Sequence, residues 1–194
     1  MANFTFNMND FHDERVWDLI CDGRTKGVFQ LESQLGRSWA RRVAPRNIQE
    51  LSALISLIRP GCLKAFTDGK SMTQHYVDRK SKIDPVTYPH ESLERILEET
   101  YGVLVYQEQS MMIAQELAGF SLKDADSLRK AIGKKKAGLM TEVKKSFLKG
   151  SKNKGTVTTA VAEEIFSWIE KSNRYAFNKS HAVSYAINAY WSAY

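Results

Sequence analysis

Five cations fall within the eight residues from Arg129 to Lys136: Arg129, Lys130, Lys134, Lys135 and Lys136. Guanidinium and ammonium groups at this density do one kind of chemistry well, which is to neutralise and orient phosphate. The surroundings extend the pattern. Ten basic residues between Arg129 and Lys154, including Lys144, Lys145, Lys149, Lys152 and Lys154, meet one acid, Glu142, so the stretch carries +9. The whole chain is +6, which leaves −3 for everything else. The charge is a local device, as a polyanion partner requires. No GxxxxGK[ST] sequence is present, and Gly133 ends the predicted helix before the lysine run. A helix C-terminus repels anions, so phosphate here has to be held by side-chain charge and not by backbone amides.

Other constellations are weaker. On a helix Arg129 and Lys130 lie about 100° apart and face adjoining directions, and Asp126 one turn earlier can steady one of them. Tyr106-Gln107-Glu108-Gln109 sits where a β-type run meets a helix, and Glu108 and Gln109 are expected to cap that helix. Between two later helices, Asn178 and Ser180 suit a turn and an N-cap, while Lys179 and His181 could meet phosphate or base. His181 has no paired nucleophile, so a general-base role has little support. Asp124 and Asp126 have the Asp-x-Asp spacing of two-metal phosphoryl transfer, but on a predicted helix, beside the basic face. No catalytic residue and no metal ligand set is expected. The four histidines lack metal spacing, and Cys21 and Cys62, without a CxxC, read as reduced thiols.

The elements that must position these groups are mostly helices. Apolar content of 43% and aromatic content of 11% belong to a globular chain, and 194 residues can bury one good core or two small ones. No apolar run approaches the length of a membrane span, and the N-terminus lacks the pattern of a signal peptide. Periodicity predicts helices over 13–22, 33–43, 47–58, 71–80, 90–100, 108–118, 123–132, 139–148, 158–171 and from 181 to the end. Asn47 with Glu50 predicts a capping box, and Arg59-Pro60-Gly61 a helix stop. Val28–Leu31 reads as a strand or the start of a helix, Val103–Tyr106 as a short β-type run, and the rest of 64–89 as polar loop. The last turn, with Tyr190, Trp191 and Tyr194, is expected to be exposed, as in a chain cut short or one that docks on another polypeptide. The fold class expected is mainly α, one elongated helical body with a few short strands.

Six blocks occur in a characteristic order: Gly27-Val-Phe-Gln-Leu-Glu-Ser33, Leu57-Ile-Arg-Pro-Gly61, Glu99-Thr-Tyr-Gly-Val-Leu-Val-Tyr-Gln-Glu-Gln109, Leu117-Ala-Gly-Phe-Ser121, Ala125-Asp-Ser-Leu-Arg-Lys-Ala-Ile-Gly-Lys-Lys-Lys136 and Phe177-Asn-Lys-Ser-His-Ala182. Together they resemble the C-family replicative DNA polymerases of bacteria, the polymerase III alpha subunit, over nearly the whole chain. The part resembled is the fingers region, expected over 1–155, with a helical continuation over 156–194. The resemblance implies that Arg129, Lys130, Lys134 and Lys135 face the incoming dNTP, and that Lys136, Lys144, Lys145, Lys149 and Lys179 contact DNA. It implies Mg2+ in the complete enzyme, on palm aspartates that have no counterpart in this chain. Template-primer DNA, dNTP, the palm and thumb and the replicative holoenzyme are the partners implied, with no membrane, in the cytoplasm of a bacterial or phage-infected cell. The chain departs from the family's pattern at position 130, where lysine stands for a second arginine and keeps the charge without the bidentate fork. It departs also at Gly36, which falls one place late, at Cys62 in place of proline, and at Ala176 in place of glycine. Two other classes fit the same charge. A stand-alone DNA-binding module or inactive relic would lack a neighbouring gene carrying the palm Asp-x-Asp. A basic protein-interaction domain would show no nucleotide-dependent protection around Arg129.

Overall fold

The computed structural model describes residues 10–133 and 137–194. The described residues are mainly α-helical, with one short antiparallel hairpin. They divide into two compact units, one joining the residues up to Pro60 with Ser180–Tyr194, the other formed from Gly61–Lys179.

The first unit begins with α1 (Glu14–Cys21), α2 (Gln34–Val43) and α3 (Ile48–Leu57), each started by a side chain accepting from an orphan amide. Asp13 accepts from Arg15 N at 2.9 Å, Ser33 from Gly36 N at 3.0 Å and Asn47 from Glu50 N at 2.8 Å. Glu50 does not return to the Asn47 amide; its carboxylate takes Arg46 N at 2.8 Å, one residue earlier than a capping box would. Every residue of α3 from Leu51 to Leu57 is buried. Two of them are serines, and both hydroxyls are satisfied inside the helix, Ser52 on Ile48 O and Ser56 on Ser52 O. Val28–Leu31 is neither strand nor helix start. It is a pair of tight turns held by Thr25 Oγ1 donating to Leu31 O at 2.7 Å, with Gln30 at φ 66°.

The end of α11 (Lys179–Ala193) completes this unit and overturns the expected exposed last turn. Tyr190 is fully buried, its hydroxyl accepts from Asp13 N at 3.0 Å, and its ring meets Phe11 at 5.3 Å and Trp17 at 4.9 Å. Tyr185 stacks on Phe29 at 5.1 Å. The aromatic residues face inward because the helix lies back on α1; of the three aromatic residues of the final turn only Tyr194 is exposed.

The second unit carries α4 (Pro60–Lys64), a hairpin of β1 (Phe66–Thr67) and β2 (Lys70–Ser71), α5 (Met72–Lys80) and α6 (Glu94–Leu97). It continues with α7 (Gln107–Ala118), α8 (Leu122–Gly133), α9 (Ala137–Lys154) and α10 (Thr159–Ser172). The hairpin pairs Phe66 with Ser71 and Thr67 with Lys70, and Asp68-Gly69 turns it with both residues at positive φ, as a type I′ turn needs. The helix expected over 90–100 is α6 flanked by two 3-10 turns, Glu91–Leu93 and Glu98–Thr100. The expected β-type run over 103–106 has no ladder; only Tyr106 bridges, in parallel, to Phe177. The core is Leu93, Leu97, Ile113, Leu117, Leu128, Phe147, Ile165 and Phe166, where α7 packs on α8 and α9, and α9 on α10. Gly150 is the crossing point of α9 on α7, since a Cβ there would strike the carbonyl of Ala118.

Candidate phosphate and nucleic-acid interface

α8 is oriented by Ala125, Leu128 and Ala131, all fully buried, which turns Asp126, Arg129 and Lys130 outward. Its start is capped reciprocally: Asp124 N donates to Ser121 Oγ at 3.2 Å, and Ser121 Oγ and N donate to Asp124 Oδ2 at 2.7 and 3.3 Å. Asp124 is thus spent on the helix start. Asp126 is spent on the cations. Arg129 Nε and Nη2 donate to its Oδ1 at 2.9 and 2.7 Å, and Lys130 Nζ reaches Oδ2 at 2.6 Å. One carboxylate therefore holds both cations, where the sequence predicted one, and draws their heads together from adjoining faces. The hydrogen bond from Lys130, then that from Arg129, holds the Asp126 carboxyl below its ordinary value against a smaller opposing effect of burial. The cluster keeps a net +1, and all three side chains remain open to solvent, Lys130 the most at 53%. Lys134, Lys135 and Lys136 lie outside the described residues.

α9 turns Val143, Phe147 and Ser151 inward. At about 100° per residue that puts Lys145, Lys149 and Lys152 within one arc of the outer face, with Lys144 at its edge. The first three are exposed and Lys144 is half-buried. Lys154 faces otherwise. Its ammonium donates to Glu116 O in the last turn of α7, satisfying an orphan carbonyl where the helix dipole favours a cation.

Lys179 belongs to a polar lock between the Glu99–Gln109 block and the residues Phe177–Lys179. Its ammonium pairs with Glu99 at 2.5 Å and lies 5.6 Å from the centre of the Tyr106 ring. Contrary to expectation Glu108 does not cap its own helix; its two oxygens take Asn178 Nδ2 at 2.8 Å and Lys179 N at 2.9 Å, at the start of α11. Gln109 does cap its own helix. Its Oε1 accepts from Val105 N and Tyr106 N, both at 2.9 Å, and its Nε2 donates to Ile96 O at 3.1 Å and Thr100 Oγ1 at 2.7 Å. Phe177 N donates to Val105 O and Gln107 N to Phe177 O, each at 2.9 Å, and Ser110 Oγ donates to Asn173 Oδ1 at 2.7 Å. His181 is exposed, with its ring 4.1 Å from that of Tyr185.

Sequence reasoning missed a cleft of about 720 Å³ walled by the hairpin, α5 and α10. Its cations come from three separate segments, Lys64, Arg79 and the pair Lys171 and Arg174, so no charge run announces them. The only local signal is Trp168 and Lys171 one turn apart on α10. Gly61 fits under the ring of Tyr175 on one side of this region, where a Cβ would come within 2.5 Å of the ring. Among the described residues no group of three His, Cys, Asp or Glu side chains could hold a metal ion, Cys21 and Cys62 form no disulfide, and no helix is long and apolar enough to cross a membrane.

Comparison with known proteins agrees with the family resemblance read from the sequence. Residues 2–155 match the family described as the bacterial DNA polymerase III alpha subunit finger domain. The chain is 43% identical over 182 residues to DNA polymerase III subunit alpha of Aquifex aeolicus, and 46% identical over 184 residues to that of Caulobacter vibrioides. The same subunit of Bacillus subtilis is 41% identical over 177 residues. These alignments cover 94%, 95% and 91% of the chain but only 15% of each relative, so the chain spans a small part of their length. With the family's finger domain matched over most of its residues, the chain belongs to the bacterial DNA polymerase III alpha subunit finger-domain family.

Proposed function

We propose that the chain supplies the fingers of a template-directed DNA polymerase, in which Arg129 and Lys130 meet the triphosphate of the incoming deoxynucleotide. The observation that carries this reading is the gathering of both cations on Asp126 at 2.6 to 2.9 Å. A carboxylate holds there the donors a phosphate would use, on a solvent-open face. A triphosphate offers the same acceptor chemistry with more charge, so it can displace Asp126 from one or both cations. Arg129 presents a planar fork to two oxygens, and Lys130 a point charge. Lys134 and Lys135 add to the same field, while Lys136, Lys144, Lys145 and Lys149 run along the DNA backbone. Lys179 joins them only by leaving its pair with Glu99.

The reaction is the addition of a deoxynucleotide to a primer 3′ hydroxyl with release of pyrophosphate. This chain's share in it is positioning and charge neutralisation. In this reading Mg2+ belongs to the complete enzyme, on palm aspartates outside this chain. Its partners are template-primer DNA, dNTP, the palm and thumb and the replicative holoenzyme, in the cytoplasm. The test is a chimera in which this chain replaces the matching segment of the Caulobacter vibrioides relative. Arg129→Ala should raise the nucleotide KM and lower kcat, with kcat/KM down about tenfold or more, the usual worth of a hydrogen bond to a charged group. Lys130→Ala should do less. Steady-state constants equal to those of the unaltered chimera would overturn the reading.

A further inference from the structure

The cleft of about 720 Å³ between the hairpin, α5 and α10 takes no part in the roles above, and its lining is chemically distinctive. Four cations, Lys64, Arg79, Lys171 and Arg174, face two carboxylates, Asp68 and Glu164. Lys64, Lys171 and Arg174 are exposed, and among the described residues no carboxylate pairs with them. Arg129, Lys130 and Lys179 all have such a partner. Three exposed cations thus converge on this concavity with no carboxylate partner. Ring faces accompany them: Trp168 and Tyr175 are half-buried in the wall, and Phe66 stands 66% exposed at the rim.

The walls are braced by contacts that do not involve Lys64, Lys171 or Arg174. His75 Nε2 lies 2.8 Å from Thr67 O and ties the hairpin to α5. Arg79 donates to Tyr101 O and Thr87 Oγ1, both at 3.3 Å, which fixes the adjoining loop. The volume lies within the range of about 300–1,000 Å³ that ligand clefts occupy. Unpaired cations beside aromatic faces bind a strand whose bases are free, with phosphate on the cation and base on the ring. Paired bases show only their edges and would leave the rings without a partner.

We propose that this cleft takes an unpaired DNA strand, its phosphates on Lys64, Lys171 and Arg174 and a base against Trp168. The inference rests on the chain working on nucleic acid, as proposed above, but not on Arg129. The test uses the full chain, fluorescein-labelled oligothymidylate and a blunt duplex of equal charge, with anisotropy read at several salt concentrations. Lys171→Glu with Arg174→Glu, both on exposed side chains, should weaken oligothymidylate binding at least about tenfold and flatten its salt slope by about 1.4, two phosphate contacts on a single strand. Duplex binding should change much less. Trp168→Ala should cost at least about fivefold in oligothymidylate affinity, and Trp168→Phe should restore most of it. Lys145→Glu with Lys149→Glu, on the outer face of α9, should show the opposite preference and weaken the duplex more. Equal losses on both DNAs, or unchanged oligothymidylate affinity in the cleft variants, would overturn the cleft and leave the polymerase reading standing. Failure of the unaltered chain to bind oligothymidylate would also overturn it, while the Arg129 kinetics test the polymerase reading separately.

Discussion

Asp126 is the residue through which the cation pair on α8 depends on pH. Its folded carboxyl is held below the ordinary value, chiefly by Lys130 and then by Arg129. A depressed carboxyl contributes stability that is fully present above its unfolded pKa, near 3.9, and is lost as pH falls through the lower folded value. Acid denaturation of the unaltered chain should therefore be steeper below about pH 4 than that of Asp126→Asn, with the two curves parallel above it. Thermal melts across pH 2 to 7 read this directly, and parallel curves throughout would mean that the triad does not persist in solution. The cations themselves were legible in the sequence because charge density is a local property. Their convergence was not, because helix spacing alone put Arg129 and Lys130 about 100° apart and left open whether one carboxylate would hold both. Lys154 shows the opposite error. It read as one more member of the basic run, yet it caps the carbonyl of Glu116 on another helix.

Gln109 decides how α7 begins. Its amide makes four hydrogen bonds while the residue is only 4% exposed, two to the amides of Val105 and Tyr106 and two to Ile96 O and Thr100 Oγ1. Gln109→Ala would strand two buried backbone donors, so it should destabilise the second unit by about 3 kcal/mol or more. Urea unfolding followed by hydrogen exchange in α7 measures this, and a loss below about 1 kcal/mol would show that water replaces the side chain. A helix start of this kind was readable where the cap is local, as at Asn47. Glu108 was misassigned because its partners, Asn178 and Lys179, lie about seventy residues away. The hairpin was missed for a different reason. Asp68-Gly69 is a strong turn signal, but strands of two residues show no alternation to frame it. The helical stretch over 90–100 ends at Tyr101, which sits in the left-handed region at φ 53° before Gly102.

At the scale of the whole molecule, the first unit is built from the two ends of the described chain, so its stability depends on a contact that closes late in the sequence. Tyr190 is that contact. Its hydroxyl accepts from the Asp13 amide at the start of α1, and its ring packs between Phe11 and Trp17. Burial pushes the Tyr190 phenol above its ordinary value, so it remains a neutral hydroxyl throughout the working pH range. Tyr190→Phe keeps the ring and strands the Asp13 amide, and should cost about 1 kcal/mol. Deleting Ser180–Tyr194 removes the ring as well, together with Tyr185 from its stack on Phe29. Exchange of the amides of α1 should then rise by two orders of magnitude or more, the signature of a cooperative unit opening as a whole. α7 and α9 have their core in Leu117, Phe147 and Phe166, all within the second unit, and should keep their protection in the same sample. Hydrogen exchange read by mass spectrometry separates the two sets of peptides. Unchanged protection of α1 after the deletion would mean that α2 and α3 hold the first unit without its last helix, and loss of protection in α7 would mean that the two units open as one.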